Sequence, residues 1–179
     1  MSVRVVYETH STSEDNEGGF ATGWLGGTLS PTGREQAQLL GERRSDDGVD
    51  VVFASDLNRA VETAQIAFGD SGIRVYLDWR LRECNYGTMN GMPRGQLDTE
   101  RRLRLDEPFP GGESWRGAVG RVTRFLEELT REQEGRRVVL IGHVATRWAL
   151  DHLVHGQPLE ELIDAPFDWR EGWEYTLVG

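Results

Sequence analysis

The stretch Val138-Val139-Leu140-Ile141-Gly142-His143 decides the fold class of this chain of 179 residues. Four consecutive branched apolar residues followed by a glycine are typical of a buried strand that ends in a turn. Similar short apolar runs occur at residues 3–7, 49–54 and 73–77, and segments with helical periodicity separate them. Strands that alternate with helices predict an α/β fold with a mostly parallel central sheet and helices on both faces.

The helical segments carry their own start signals. Ser30-Pro31 places a capping serine before a proline, which is favoured at the first helical position. Further helices are predicted from Ser55-Asp56 to about Phe68, from Trp115 to Gly135 and from Ala145 to about His155. Residues 175–178 predict a short edge strand.

Two segments interrupt this regular alternation. Residues 84–112 are rich in Gly, Pro and Arg, with a short charged helix predicted at 97–105, and we interpret them as a small cap or lid. The glycine-rich segment 16–27 predicts a surface loop. We expect a single domain over residues 1–179, with the cap as an excursion from it.

Composition excludes several classes of function. The chain has 20 Lys and Arg against 30 Asp and Glu, and its formal charge of −10 argues against nucleic-acid and anionic membrane partners. The single cysteine, Cys84, excludes an internal disulfide and a cysteine-based zinc site. Residues 1–10 lack the features of a signal peptide, so we expect a cytoplasmic protein. The oligomeric state stays open, with a homodimer as one option.

The carboxyl ends of the predicted strands gather polar residues. Ligands of open α/β sheets bind beyond these ends. The residues that follow the four strands are Thr9-His10-Ser11, then Ser55 with Arg59, then Arg80, Arg82 and Glu83, and finally Gly142-His143. Two imidazoles, several guanidinium groups and one carboxyl group are therefore predicted at one sheet edge.

Each of these residues also has an ordinary structural interpretation. A histidine after a strand is more often a hydrogen-bonded structural residue than a catalyst. Arg59 can pair with Glu62 or Asp56 on its helix, and Glu83 can pair with a neighbouring arginine. The coincidence of two histidines at equivalent positions favours the functional interpretation. His152 and His155, late in a helix, are given no role.

Six motifs follow one another along the chain. They are Thr9 to Ser13 with Asn16, Leu29 to Ala37, Ser55 to Ala64, Leu81-Arg82-Glu83 with Tyr86-Gly87, Gly111 to Ser114, and Val138 to His143. Together they resemble the histidine phosphatase superfamily, also called phosphoglycerate mutase-like proteins. The resemblance covers nearly the whole chain and implies an enzyme that needs neither a cofactor nor a metal.

By this resemblance, His10 would be a nucleophile that carries a phosphoryl group. Arg59, His143 and Asn16 would hold the phosphoryl oxygens, and Glu83 would protonate the leaving oxygen. His10 must then be neutral, whereas a cationic His143 would be more useful. Thr9 and Ser13 complete the phosphate-binding set that the motifs imply.

The first motif departs from the family pattern at two positions. Thr9 stands where the family has Arg, and Ser11 stands where it has Gly. A charged hydrogen bond contributes about 1.5–3 kcal/mol against about 1 kcal/mol for a neutral one, so the exchange predicts a slower enzyme. Arg80, Arg82 and Arg147 are candidates to compensate for the missing cation. The direction of the Glu8 side chain stays open.

The leading hypothesis is a phosphohydrolase that acts on a small phosphomonoester, a phosphorylated metabolite, through a phosphohistidine. Phosphoglycerate mutase-type transfer is an alternative, although the short excursion at 84–112 favours hydrolysis. Thr9 favours a second alternative, a non-catalytic protein that binds a phosphorylated ligand. A third alternative is a metal site built from His10, His143 and Glu83.

Overall fold

The computed structural model describes residues 2–179. The strands are β1 (Ser2–Thr9), β2 (Phe20–Ala21), β3 (Val51–Ala54), β4 (Val75–Leu77), β5 (Met92–Pro93), β6 (Arg137–Gly142) and β7 (Trp173–Val178). The α-helices are α1 (Glu14–Gly18), α2 (Pro31–Arg44), α3 (Asn58–Phe68), α4 (Arg94–Glu100), α5 (Trp115–Glu132), α6 (Val144–His155) and α7 (Leu159–Leu162).

The central sheet has five strands in the spatial order β4-β3-β6-β1-β7. Strands β4, β3, β6 and β1 run parallel to one another, and β7 pairs antiparallel with β1 at the edge. The predicted α/β fold with a mostly parallel sheet is therefore confirmed. The central position of β6 explains its apolar run at 138–141, because both of its faces are covered.

Alternate residues of β1 enter two different cores. Val5 and Tyr7 belong to the larger core with α5 and α6, whereas Val6 points to the other face, which α2 and α3 cover. The larger core joins its two helices through Trp115 and Trp148, whose ring centroids lie 4.6 Å apart. These two layers fix the sheet edge where β1 and β6 end.

Helix α3 begins later than its sequence signal. The structure places its first residue at Asn58 after Leu57, and no side chain caps this end. Ser55 instead accepts a hydrogen bond from the Leu57 amide within the preceding turn, at 3.2 Å. Asp56 forms an ion pair with Arg82. The residues that predicted a helix start therefore shape the turn before it.

The glycine-rich segment 16–27 is not simply a loop. It contains the end of α1 and the strand β2, which pairs antiparallel with β5. Ser13 and Asn16 form a reciprocal capping box at the start of α1, and this local signal was masked by the glycines that follow. The helix predicted at 97–105 overlaps α4 only at 97–100, because α4 begins directly after Pro93 and ends at Glu100. The lid role of residues 84–112 stays a prediction.

No helix within residues 2–179 has both the length and the apolar character needed to span a bilayer.

Candidate active site

The ends of β1 and β6 bring the first two candidate residues together. The main-chain N–H of His10 donates to the carbonyl of Gly142 at 3.0 Å, which extends the parallel ladder beyond β1. His143 follows Gly142 directly, and the ring centroids of His10 and His143 lie 5.0 Å apart. Two remote parts of the sequence thus place two imidazoles at one edge of the sheet.

The environment of His10 fixes which ring nitrogen is free. Nδ1 lies 2.7 Å from the carbonyl oxygen of Ser11, so Nδ1 carries the proton and donates it in this hydrogen bond. Nε2 then keeps its lone pair. Burial and the nearby Arg59 cation lower the pKa of His10 to about 3. His10 is therefore a neutral imidazole with a free Nε2 at neutral pH, which is the form a nucleophile needs.

His143 has the opposite arrangement of its ring nitrogens. Its Nδ1 lies 3.4 Å from Nη2 of Arg59, a donor, so Nδ1 accepts and the proton resides on Nε2. This buried Nε2 has no hydrogen-bond partner within residues 2–179. Burial and Arg59 also hold the pKa of His143 well below its usual range. The expectation of a cationic His143 is therefore wrong for the ligand-free site, because a second positive charge beside Arg59 is unfavourable there.

Arg59 is a buried cation without a carboxylate partner among residues 2–179. Its exposed fraction is 3%. The alternative that it pairs on its helix surface does not hold, since Glu62 pairs with Arg34 and Asp56 pairs with Arg82. A buried charge is costly unless it is compensated, so this guanidinium is suited to an anionic ligand.

Main-chain carbonyls hold the Arg59 guanidinium in position. Nη2 donates to the carbonyl of Gly23 at 2.8 Å, between β2 and α2. Gly23 has a φ of +58°, and a Cβ there would lie 1.9 Å from Oδ1 of Asn90. Asn90 Oδ1 in turn accepts from the main-chain N–H of Trp24 at 3.1 Å. Residue 23 must therefore be a glycine for this turn to accept the hydrogen bond from Arg59.

Glu83 is buried at the start of α6. Its carboxyl group accepts from the main-chain N–H of Cys84 at 2.9 Å and from those of Val144 and Ala145 at 3.3 Å. These bonds favour the anion, but desolvation dominates and raises the pKa of Glu83. A raised pKa in a cavity is the property expected of a proton donor.

The three arginines predicted as compensating cations do not line the site. Arg80 binds Asp78 and Glu128, Arg82 binds Asp56, and Arg147 binds Asp151. Each guanidinium is held by carboxylates elsewhere in the structure, so none of the three brings its charge to the cavity wall beside Thr9.

The remaining predicted phosphate-binding residues divide into two groups. Thr9 and Asn16 line the cavity. Oδ1 of Asn16 accepts from the Ser13 amide, so the amide nitrogen of Asn16 stays available as a donor. Ser13 does not line the cavity, because its side chain is fully buried and its hydroxyl caps α1. The expectation that Ser13 binds phosphate is therefore revised to a role in shaping the loop.

A cavity of about 400 Å³ contains His10, Arg59, Glu83 and His143. Sequence reasoning missed two further cations in its wall, Arg94 and Arg101 of the cap segment, and an aromatic group. No sequence signal distinguishes these arginines from surface arginines on a charged helix. The aromatic residues that line the cavity are Phe20, Tyr86, Trp115, Phe167 and Trp169.

Glu8 points away from the cavity. It is buried, and its carboxylate binds Arg44 at 2.7 Å and Arg43 at 3.4 Å. These arginines belong to the end of α2, on the sheet face opposite α5 and α6. Glu8 therefore does not add negative charge to the site.

The metal-site alternative has no support in the geometry. Across residues 2–179, no three side chains of His, Cys, Asp or Glu are grouped so that they could hold one metal ion. The Glu83 carboxyl group instead accepts three main-chain hydrogen bonds.

Comparisons with known proteins agree with this geometry. Residues 9–169 match the family described as Histidine phosphatase superfamily (branch 1). The chain is 30% identical to Phosphoserine phosphatase 1 of Hydrogenobacter thermophilus over 156 residues, which cover 83% of this chain and 74% of that protein. It is 32% identical over 158 residues to a 2,3-bisphosphoglycerate-dependent phosphoglycerate mutase of Allorhizobium ampelinum, which covers 80% and 75% of the two chains.

Solved structures give the same assignment. A mycobacterial glucosyl-3-phosphoglycerate phosphatase in complex with VO3 superposes with a TM-score of 0.77 at 30% identity, covering 89% of this chain and 85% of that one. The family match over residues 9–169 includes every residue that lines the cavity, from Thr9 to Trp169. With phosphatases and mutases among its relatives, the chain belongs to the histidine phosphatase superfamily, branch 1.

Proposed function

We propose that the protein is a phosphohydrolase that acts on a phosphomonoester through a phosphohistidine at His10. The observation that carries this proposal is the contact between a neutral His10, a neutral His143 and a buried Arg59 without a carboxylate partner within residues 2–179. The site thus offers a nucleophile and hydrogen-bond donors to a negatively charged group of a ligand. A transferred phosphoryl group has this property.

The first half-reaction uses three side chains. Nε2 of His10 attacks phosphorus, and the bond between phosphorus and the leaving oxygen breaks. The proton of Glu83 passes to that oxygen, so the leaving group departs as a neutral alcohol. Arg59, Nε2–H of His143 and the Asn16 amide stabilise the charge on the equatorial oxygens. A bound dianion also raises the pKa of His143.

The second half-reaction regenerates the site. The ionised Glu83 takes a proton from water, the water oxygen attacks phosphorus, and the bond to Nε2 breaks. Inorganic phosphate leaves, and Glu83 is protonated again. The proton that left in the first step is therefore restored in the second.

Thr9 makes this enzyme slower than one with a cation at that position. Its hydroxyl supplies a neutral donor, and the predicted compensating arginines are bound elsewhere. Phosphoserine and phosphoglycerates, which the relatives' names mention, are the first substrates to test. A small phosphorylated metabolite remains the class that we propose.

The proposal is tested with p-nitrophenyl phosphate between pH 5 and 8. We expect wild type to hydrolyse it and His10→Ala to lose both turnover and a trapped phosphoenzyme. His152→Ala is the matched control, because His152 is exposed and lies outside the cavity. A labelled phosphoenzyme in His10→Ala would remove His10 from this role. Ligand binding without turnover would identify a non-catalytic protein, and transfer to an alcohol instead of water would identify a mutase.

A further inference from the structure

Three large aromatic side chains of the cavity wall are left open to water. Phe20 belongs to β2, and Phe167 and Trp169 lie between α7 and β7. Trp169 is 59% exposed, although folding usually removes most of an indole ring from water. Clustered exposed apolar groups in a concave site mark a surface that a ligand covers.

The segment that carries two of these rings is held by specific contacts. The guanidinium of Arg147 lies 5.6 Å from the ring centroid of Phe167 and 4.7 Å from that of Trp173. Arg44 donates to the carbonyl of Glu171 at 2.9 Å. These contacts hold the chain on both sides of Trp169, so the segment that carries Phe167 and Trp169 is a fixed part of the cavity wall.

Gly172 makes the anchoring contact possible. Its φ is +91°, and a Cβ there would lie 2.3 Å from Nη2 of Arg44. The segment thus passes directly over the buried pair of Arg44 and Glu8 before it enters β7. Phe167 and Trp169, which precede this contact along the chain, both line the cavity.

The cavity also extends well beyond what a phosphoryl group occupies. Its volume of about 400 Å³ falls in the range of pockets that bury a drug-sized ligand. The phosphoryl site at His10 and Arg59 takes only part of this volume. The rest of the cavity wall contains Tyr86, Leu97 and Trp115 in addition to the three exposed rings, together with the cations Arg94 and Arg101.

We infer that Phe20, Phe167 and Trp169 are specificity-determining residues that select phosphomonoesters whose leaving group carries a flat ring. The inference rests on the proposed function, because it requires the phosphoryl group to lie at His10. Ring faces recognise a planar apolar group by offset or edge-to-face packing, whereas a short polar chain gains little from them. On this inference, phosphoserine and the phosphoglycerates, whose leaving groups have three carbons and no ring, are poorer substrates than esters with a ring.

The test compares two pairs of compounds in which a phenyl ring is exchanged for an ethyl group. Benzyl phosphate and propyl phosphate are both esters of primary alcohols, so the leaving oxygens have similar basicity. Benzylphosphonate and propylphosphonate carry the same two groups on a non-hydrolysable C–P bond, one atom closer to phosphorus, and report binding without turnover. We expect wild type to show a lower KM for benzyl phosphate and a Kd for benzylphosphonate about tenfold below that for propylphosphonate.

Trp169→Ala should remove most of this difference, because the benzyl compounds should lose much more than the propyl compounds. Trp79→Ala is the matched control, because Trp79 is similarly exposed, at 53%, but lies outside the cavity. Phe20→Leu provides a second variant should Trp169→Ala fail to fold. Loss of the ring preference in Trp169→Ala or Phe20→Leu, with Trp79→Ala unaffected, supports the inference.

Equal affinity of wild type for the two phosphonates would overturn the inference, as would equal losses for both compounds in Trp169→Ala. Either result leaves the proposed function intact, provided that wild type still hydrolyses the two phosphate esters. Absence of hydrolysis together with a retained ring preference would instead reject the proposed function and keep the aromatic site.

Discussion

At the residue scale, the site depends on groups whose protonation is set by burial. His10 and His143 are both neutral because each imidazole is desolvated beside Arg59. Glu83 keeps its proton to a higher pH than usual for the same reason of desolvation. For the proposed reaction, burial thus prepares His10 as the nucleophile, His143 as a hydrogen-bond donor and Glu83 as the acid.

Arg59→Met should abolish the binding of vanadate, because the buried guanidinium is the cation closest to the two imidazoles. Wild type should gain about 2.7 kcal/mol of unfolding free energy at vanadate concentrations 100-fold above its Kd. The variant should gain none. Thermal unfolding with and without vanadate measures this difference. Equal stabilisation of both proteins would place the anion elsewhere.

Glu83→Gln should slow the hydrolysis of esters that need a protonated leaving group. Its raised pKa means that the acid is present at low pH and is lost as the pH rises through that value, so kcat should fall on the alkaline side. We expect Glu83→Gln to lose this pH dependence and about 100-fold in kcat for propyl phosphate.

The effect of Glu83→Gln on kcat/KM, which reports the first half-reaction alone, should be much smaller for p-nitrophenyl phosphate, whose leaving group departs as a stable anion. Glu128→Gln, on the surface of α5, serves as the control. Equal losses of kcat/KM for the two substrates would contradict the role of Glu83 as a proton donor.

Sequence reasoning could find His10, Arg59, Glu83 and His143 because each follows a strand at the ligand-binding edge. It could not find Arg94, since that residue reaches the cavity through the fold of the cap segment. It also misjudged the charge of His143, because the approach of Arg59 to its Nδ1 depends on side-chain packing between distant segments.

At the scale of elements, α2 supports the loop that follows β1. A Cβ on Gly33, in the first turn of α2, would lie 1.9 Å from the carbonyl oxygen of Thr12. The same carbonyl accepts the main-chain N–H of Ser30 at 3.0 Å. The helix start and the segment next to His10 are therefore in direct backbone contact.

Gly33→Ala should displace Thr12 and lower kcat by about tenfold or more, because small displacements of a nucleophile cost large factors in rate. Gly120→Ala is the control on another helix, where nothing lies within 4 Å of the new Cβ. That control should keep full activity and gain about 0.5–1 kcal/mol in unfolding free energy. Steady-state kinetics and denaturant titration measure both effects. Full activity in Gly33→Ala would show that the loop position is not critical.

Elements with strong periodicity could be predicted, and short elements could not. Strand β6 and helix α5 were evident from apolar runs and from spacing. Helix α1 and strands β2 and β5 were missed because each has five residues or fewer, and the two strands also depend on pairing with each other across the chain. The start of α3 was misplaced because Ser55 and Asp56 bind partners other than the helix end.

At the scale of the whole molecule, the two buried imidazoles link acid stability to the site. The unfolded chain binds protons on these histidines below about pH 6.5, whereas native His10 stays neutral down to about pH 3. Unfolding free energy should therefore fall as the pH falls through this window.

His10→Asn should reduce that slope by up to about 1.4 kcal/mol per pH unit, the contribution of one proton. Asn keeps a donor for the carbonyl of Ser11 and removes the titrating group. Denaturant titrations of wild type and His10→Asn at several pH values measure the slopes. His152→Asn should behave like wild type, and an unchanged slope in His10→Asn would contradict the neutral state of His10.

The uncompensated guanidinium of Arg59 has a consequence for turnover. Orthophosphate, the second product, presents the same oxygens as the substrate's phosphoryl group, so the pocket that speeds the reaction also retains what the reaction releases. Product inhibition by phosphate is then an inherent property of the proposed phosphoryl-binding site around Arg59. The rate at which phosphate departs, and its concentration in the surroundings, set how often the nucleophile becomes free again.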